Sequence, residues 1–209
     1  MTINNTSIKE FSVSYFALVM ATGIISIGSF LLNMKTIAYV LFWFNLGVFP
    51  VLLFLFSARL VAYFQEVKKD LMDHQKGPLF FTIIAAACIL GNQLILLYHQ
   101  FIMAKVLWIF AVSCWFIITY TFFTSITIKE NKPTIEKGIS GAWLIVVVAT
   151  QAIAILTMLI APTLPAGTEI MLFKCDGVLS GVISILLNPR FSNSFAQPKM
   201  FFAFSFLEK

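Results

Sequence analysis

Five stretches of this chain, residues 11–34, 36–64, 78–98, 106–128 and 139–161, are each apolar enough to cross a bilayer. Crossing about 30 Å of hydrocarbon takes roughly 20 helical residues, and every one of the five reaches that length. Nothing else about the sequence restricts the fold so strongly. Hydrophobic residues make up 60% of the chain and charged ones 11%, against about 25% charged in an ordinary soluble domain, which leaves no room for an aqueous domain. In hydrocarbon every backbone polar group must be satisfied within the protein, so apolar runs of this length are read as helices. The expected fold class is all-α, a polytopic membrane helix bundle with five clear transmembrane helices and a degraded sixth at residues 171–187. Residues 1–187 are expected to form one bundle domain and residues 188–209 an irregular tail. The first apolar run is too long for a signal-peptide core and lacks a small-residue cleavage site, so it is expected to remain as a helix.

The formal charge of +5 is distributed as a topology signal and not as a nucleic-acid-binding stripe. Lys9, then Arg59, Lys68, Lys69 and Lys76, then Lys129, Lys132 and Lys137 fall on one side of the membrane if the spans alternate; only Lys35 and Lys105 fall on the other. The excess of basic residues in cytoplasmic loops then predicts a cytoplasmic N-terminus, with the lipid bilayer as the principal partner and no nucleic acid. Cys88 and Cys114 lie inside spans, Cys175 lies near the sixth, and His74 and His99 fall in opposite loops, so no metal site or cofactor is expected. No nucleophile elbow, zincin, Walker or Cys-x-x-Cys pattern is present, so the chain is not read as an enzyme.

The spans have two alternating compositions. The first, third and fifth carry small and polar residues mid-span: Met20-Ala21-Thr22-Gly23, Ala85-Ala86-Ala87 with Gly91-Asn92-Gln93, and Ala149-Thr150-Gln151-Ala152. The second and fourth are rich in large aromatics, among them Phe42, Trp43, Phe49, Phe54, Trp108, Trp115, Phe116 and Phe122. Small residues let helices approach closely, and polar ones need partners or water, so the odd helices are expected inside and the even ones facing lipid. Corresponding aromatics recur 62 to 66 residues apart, Phe16 with Phe81 and Trp143, and Phe42 with Trp108, which predicts a repeated two-helix hairpin.

Thr22, Ser26 and Ser29 share one face of the first span, Thr150 and Thr157 one face of the fifth, and Thr82 and Gln93 one face of the third. The candidates for a polar, uncharged conduit are Thr22, Gly23, Ser26, Asn92, Gln93, Thr150 and Gln151. The alternative is that the hydroxyls bond back to their own helix and that Asn92 and Gln93 bridge neighbouring helices. No ionisable residue lies in the middle of the first five spans, which argues against a proton pump and for passive or weakly coupled movement of a small solute.

Three stretches resemble the tellurite-resistance/dicarboxylate transporter family, which includes the plant slow-type anion channels. They are Phe16-Ala17-Leu18-Val19-Met20-Ala21-Thr22-Gly23-Ile24-Ile25; Asp73 through Lys76-Gly77-Pro78 and Phe80-Phe81-Thr82 to Leu90-Gly91; and Gly141-Ala142-Trp143-Leu144 through Val148-Ala149-Thr150-Gln151. The resemblance implies a multi-pass plasma-membrane (bacterial inner-membrane) protein whose odd helices form an inner ring of a ten-helix fold, commonly trimeric. It also implies that the protein moves small anions of the chloride/nitrate, sulfite, tellurite or C4-dicarboxylate class. The chain departs from the pattern at its C-terminal end, where Lys174 and Asp176 interrupt the sixth span and the sequence stops at Lys209. The expectation is therefore a C-terminally truncated or frame-shifted member that does not by itself close a pore, with a non-transporting fragment associating with other subunits as the alternative function.

Overall fold

The computed structural model describes residues 11–73, 75–128 and 141–163. Its helices are α1 (Phe16–Leu31), α2 (Lys35–Ala62), α3 (Phe64–Leu71), α4 (Phe81–Tyr98), α5 (Phe101–Ile128) and α6 (Leu144–Ile160). All but α3 are long and apolar enough to span a membrane, so the polytopic all-α bundle is what the chain forms. The sixth span, the tail, His74 and the Lys129 to Lys137 loop lie outside the described residues.

Among the described residues, one lead-in turn and inner helix recur three times. A short 3-10 turn leads into each of α1, α4 and α6: Val13–Tyr15, Gly77–Phe80 and Gly141–Trp143. An outer helix follows the first two of these inner helices. At the far end of each complete hairpin the chain reverses through a left-handed residue, Asn33 (φ 61°) and His99 (φ 54°), a conformation Asn and His adopt more readily than most residues. These two positions are 66 residues apart, the period at which the aromatics of the sequence recur, so the hairpin repeat is present in the backbone.

Burial separates the two kinds of helix. Of the third span 89% is buried, and of the fifth 44%, against 17% and 22% for the second and fourth. The first, at 28%, is an edge helix that packs on α2 and α4. Helix α4 touches α1, α2, α5 and α6 and is the axis of the assembly. The inner helices α1, α4 and α6 thus form a row, with α2 and α5 laid outside it.

Each outer helix has a buried and an exposed face, and large apolar side chains lie on both. In α5, Ala104, Ala111, Trp115, Ile118 and Phe122 are buried along one stripe at heptad-like spacing, while Phe116, Ile117 and Tyr120 are exposed. Phe122 closes one end of the bundle, with its ring edge-on to Phe81 at 6.2 Å and tilted against Trp143 at 5.3 Å. A Cβ at Gly77 would press into that ring and come within 2.6 Å of the Leu71 carbonyl. Glycine is thus the residue that fits there.

Two boundaries depart from the sequence expectations. The fourth span begins at Phe101, before the expected 106, with Lys105 inside the helix and donating to the Thr163 carbonyl at 3.2 Å, beyond the end of α6. Helix α2 ends at Ala62, not at 64, where Tyr63 breaks the helix (φ −131°, ψ 45°) and the unanticipated α3 begins. Pro50 lies within α2 without ending it, a placement membrane helices tolerate better than soluble ones.

Asp70 on α3 fastens this end of the bundle, pairing with Arg59 of α2 at 2.6 Å and with Lys76, ahead of α4, at 3.1 Å. Burial works to raise the Asp70 pKa, but the hydrogen bonds and charges of Arg59 and Lys76 outweigh it and hold the carboxyl below its ordinary value. A carboxylate depressed in the folded state contributes stability that is fully present above its unfolded pKa of about 4 and is lost as pH falls through the folded value. Thermal unfolding of Asp70→Asn in detergent should therefore show a smaller loss of stability between pH 6 and pH 3 (about that range) than the parent protein does; equal acid sensitivity would show that this pair does not contribute.

Candidate functional site

Two polar side chains of the inner helices, Thr22 of α1 and Gln93 of α4, converge on one point between α1, α2 and α4. Asn45, in the middle of α2 and fully buried, makes three bonds there. Its Nδ2 donates to the Val19 carbonyl of α1 at 3.1 Å and to Gln93 Oε1 of α4 at 3.1 Å, and its Oδ1 accepts from the Thr22 hydroxyl. One primary amide has two N–H groups and an acceptor oxygen, so Asn45 is satisfied by partners on two other helices. The close approach is possible because Gly23 faces the same point. A Cβ there would collide with Ile89 Cγ2 and lie 3.1 Å from Asn45 Nδ2 and 3.4 Å from Gln93 Oε1.

Each candidate residue named from the sequence can be placed. Thr22, Gly23 and Gln93 come together around Asn45. Ser26, also fully buried, stands apart one turn along α1 and donates to the Ala38 carbonyl of α2 at 2.8 Å. Thr150 accepts from the indole Nε1 of Trp115 on α5 at 3.1 Å and donates to its own helix at the Val146 carbonyl at 3.0 Å. Thr157 repeats the arrangement two turns along, accepting from Trp108 Nε1 at 2.8 Å. The pairs step seven residues in opposite directions, as antiparallel neighbours must. Asn92 is buried, and among the described residues its Oδ1 has no hydrogen-bond partner, nor has Gln93 Nε2. Gln151 alone of the seven is exposed. It lies on a bare face of α6 with Leu144, Val148, Ile155 and Met158.

The hydroxyl stripes of α1 and α6 therefore turn toward the outer helices α2 and α5. Asn45 was missed because it stands alone among large aromatics in a helix read as lipid-facing; an amide in mid-span was the available signal, since hydrocarbon tolerates one only with partners. Trp108 and Trp115 were likewise read as lipid-facing bulk, although a buried indole N–H needs an acceptor. Ala17 and Ala21, small residues four apart on α1, are exposed, whereas Gly91 meets its neighbour, with a Cβ there falling 2.8 Å from Leu156 Cδ2 of α6. No group of His, Cys, Asp or Glu among the described residues is placed to hold a metal ion.

Two glycines of α1 make a controlled test of this packing. Gly23→Ala should destabilise the bundle by about 1 to 3 kcal/mol through overpacking against Ile89 and the amides. Gly28→Ala, where an added Cβ meets nothing within 4 Å, should be neutral or slightly stabilising through helix propensity. Equal effects in reversible unfolding from detergent micelles would show that the helices do not meet at Gly23.

Comparison with known proteins accords with this architecture. The profile described as SLAC1, voltage-dependent anion channel, matches residues 10–187. Uncharacterized transporter MJ0762 of Methanocaldococcus jannaschii is 30% identical over 166 residues, covering 75% of this chain and 47% of the relative. Uncharacterized transporter MJ0576 of the same organism is 30% identical over 167 residues, covering 75% of this chain and 46% of the relative. The chain thus spans about half the length of the curated relatives it matches. No solved structure matches it significantly. The resemblance carried by the three sequence stretches holds across most of the described bundle, and the chain belongs to the voltage-dependent anion channel (SLAC1) family.

Proposed function

We infer that this chain is part of a membrane transporter or channel for small anions, and that the solute moves along the bare faces of the inner helices α1 and α6. The observation that carries the reading is the composition of the inner helices: α1, α4 and α6 contain no Asp, Glu, Lys or Arg. A path beside them has no fixed negative charge to repel an anion and no fixed positive charge to trap it. The matched family supports the same reading. Chloride, nitrate, sulfite, tellurite and C4-dicarboxylates all remain within the proposed substrate class.

Gln151 is the polar group proposed to face the path. It is the exposed residue among the seven candidates and shares its face with Val148 and Ile155 in the middle of α6. Thr22, Ser26, Gln93 and Thr150, buried or half-buried and each bonded across the bundle, are proposed to act as pegs between helices. Gly23 serves the contact of Thr22 and Gln93 with Asn45, and Asn92 is proposed to act within the packing of the buried helix α4. A homotrimer is the proposed assembly, resting on family resemblance alone. The clustering of Arg59, Lys68, Lys69 and Lys76 at one end, against Lys35 and Lys105 at the other, supports a cytoplasmic N-terminus.

Flux into proteoliposomes carrying the whole transporter of which this chain is part tests the function: chloride, nitrate or malate should move while potassium does not, and a lack of anion preference would overturn the reading. Cysteines substituted at Gln151 and Ile155 should react with water-soluble thiol reagents, whereas those at Phe54 and Phe116 should not. Equal reactivity of the two sets would remove the path from the inner helices.

A further inference from the structure

Helix α3 has no place in the transport reading. It carries Glu66, Lys68, Lys69 and Asp70 within eight residues, too much charge for hydrocarbon, yet it adjoins large exposed apolar side chains, Val61 at 87% and Phe64 at 58% exposure. A helix of that character belongs in the headgroup layer.

Its orientation is fixed from within. Val67 is buried and Asp70 is held by Arg59 and Lys76. Gln65, Lys68, Lys69 and Met72, spaced i, i+3, i+4 and i+7, therefore share the outward face and, with Asp73, line one shallow open groove. Two of the acidic neighbours, Asp70 and Asp73, are engaged elsewhere. Asp70 takes the two cations already named, and Asp73 Oδ1 accepts the backbone N–H of Gln75 at 2.8 Å and of Lys76 at 3.4 Å. Neither Lys68 nor Lys69 is in an ion pair among the described residues. Two adjacent ammonium groups, an amide and a flexible thioether thus sit next to an exposed phenyl ring at the membrane surface.

We propose that this face of α3 binds the headgroup phosphate of an anionic phospholipid, with Lys68 and Lys69 on the phosphate and Phe64 and Met72 in the acyl boundary. The lysine stems are long enough to reach a phosphate while lying along apolar surface. The site stands whether or not the protein moves anions, since it uses no residue of the proposed path.

Native mass spectrometry of the purified chain in mixed micelles tests it, with phosphatidylglycerol and phosphatidylcholine titrated separately. Phosphatidylglycerol should bind more tightly, and Lys68→Gln with Lys69→Gln should weaken it by about fivefold per lysine. Lys68→Arg with Lys69→Arg should keep the preference, as should Lys35→Gln at the other end of the bundle. Excess glycerol phosphate should not displace the lipid. Equal binding of the two lipids, an undiminished preference in the double glutamine variant, or full displacement by glycerol phosphate would each overturn the proposal; the last would make the groove a site for free anions.

Discussion

The bundle depends on the burial of α4. In a membrane there is no hydrophobic drive between helices, since lipid tails are as apolar as leucine, so a central helix must be held by close packing and by hydrogen bonds. Helix α4 uses both. Ala85, Ala86 and Ala87 are fully buried, Gly91 admits Leu156, and Gln93 reaches Asn45. The other helices are arranged by what each offers to α4: a glycine from α1, an amide from α2, a buried stripe from α5 and a leucine from α6.

Polar groups are used in one consistent way. Each inner helix bonds an outer one, α1 to α2 through Thr22 and Ser26, α4 to α2 through Gln93, and α6 to α5 through Thr150 and Thr157. Bonds of this kind are worth about 0.6 kcal/mol each on average in membrane proteins, so their role is to set register and rotation more than to supply stability. Rotation matters for function, because it decides which faces of α1 and α6 stay open.

Much of the architecture was legible in the sequence, because the length of an apolar run and the residue sizes within it are sufficient to locate spans and to sort inner from outer helices. The 66-residue spacing of Phe42 and Trp108 reappears in the turns at Asn33 and His99. The partners of the polar faces were not legible. Helical periodicity says that Thr22 and Ser26 share a face, but not whether that face meets a conduit or a neighbouring helix. Asn45 and the two tryptophans carried the answer, and each stood in a helix whose composition pointed to lipid. Helix α3 escaped notice because its eight residues are too few for a periodic signal beside a 28-residue span.

The claim that α4 is tied to α2 by one buried amide pair is tested most directly by a double-mutant cycle at Asn45 and Gln93, read as unfolding free energy in mixed micelles. Asn45→Ala and Gln93→Ala should each destabilise the bundle, and the double variant should be less destabilised than the sum by about 0.5 to 1.5 kcal/mol, the coupling expected of residues in direct contact. Strict additivity of the two substitutions would mean that no such bond joins the helices and would contradict the account.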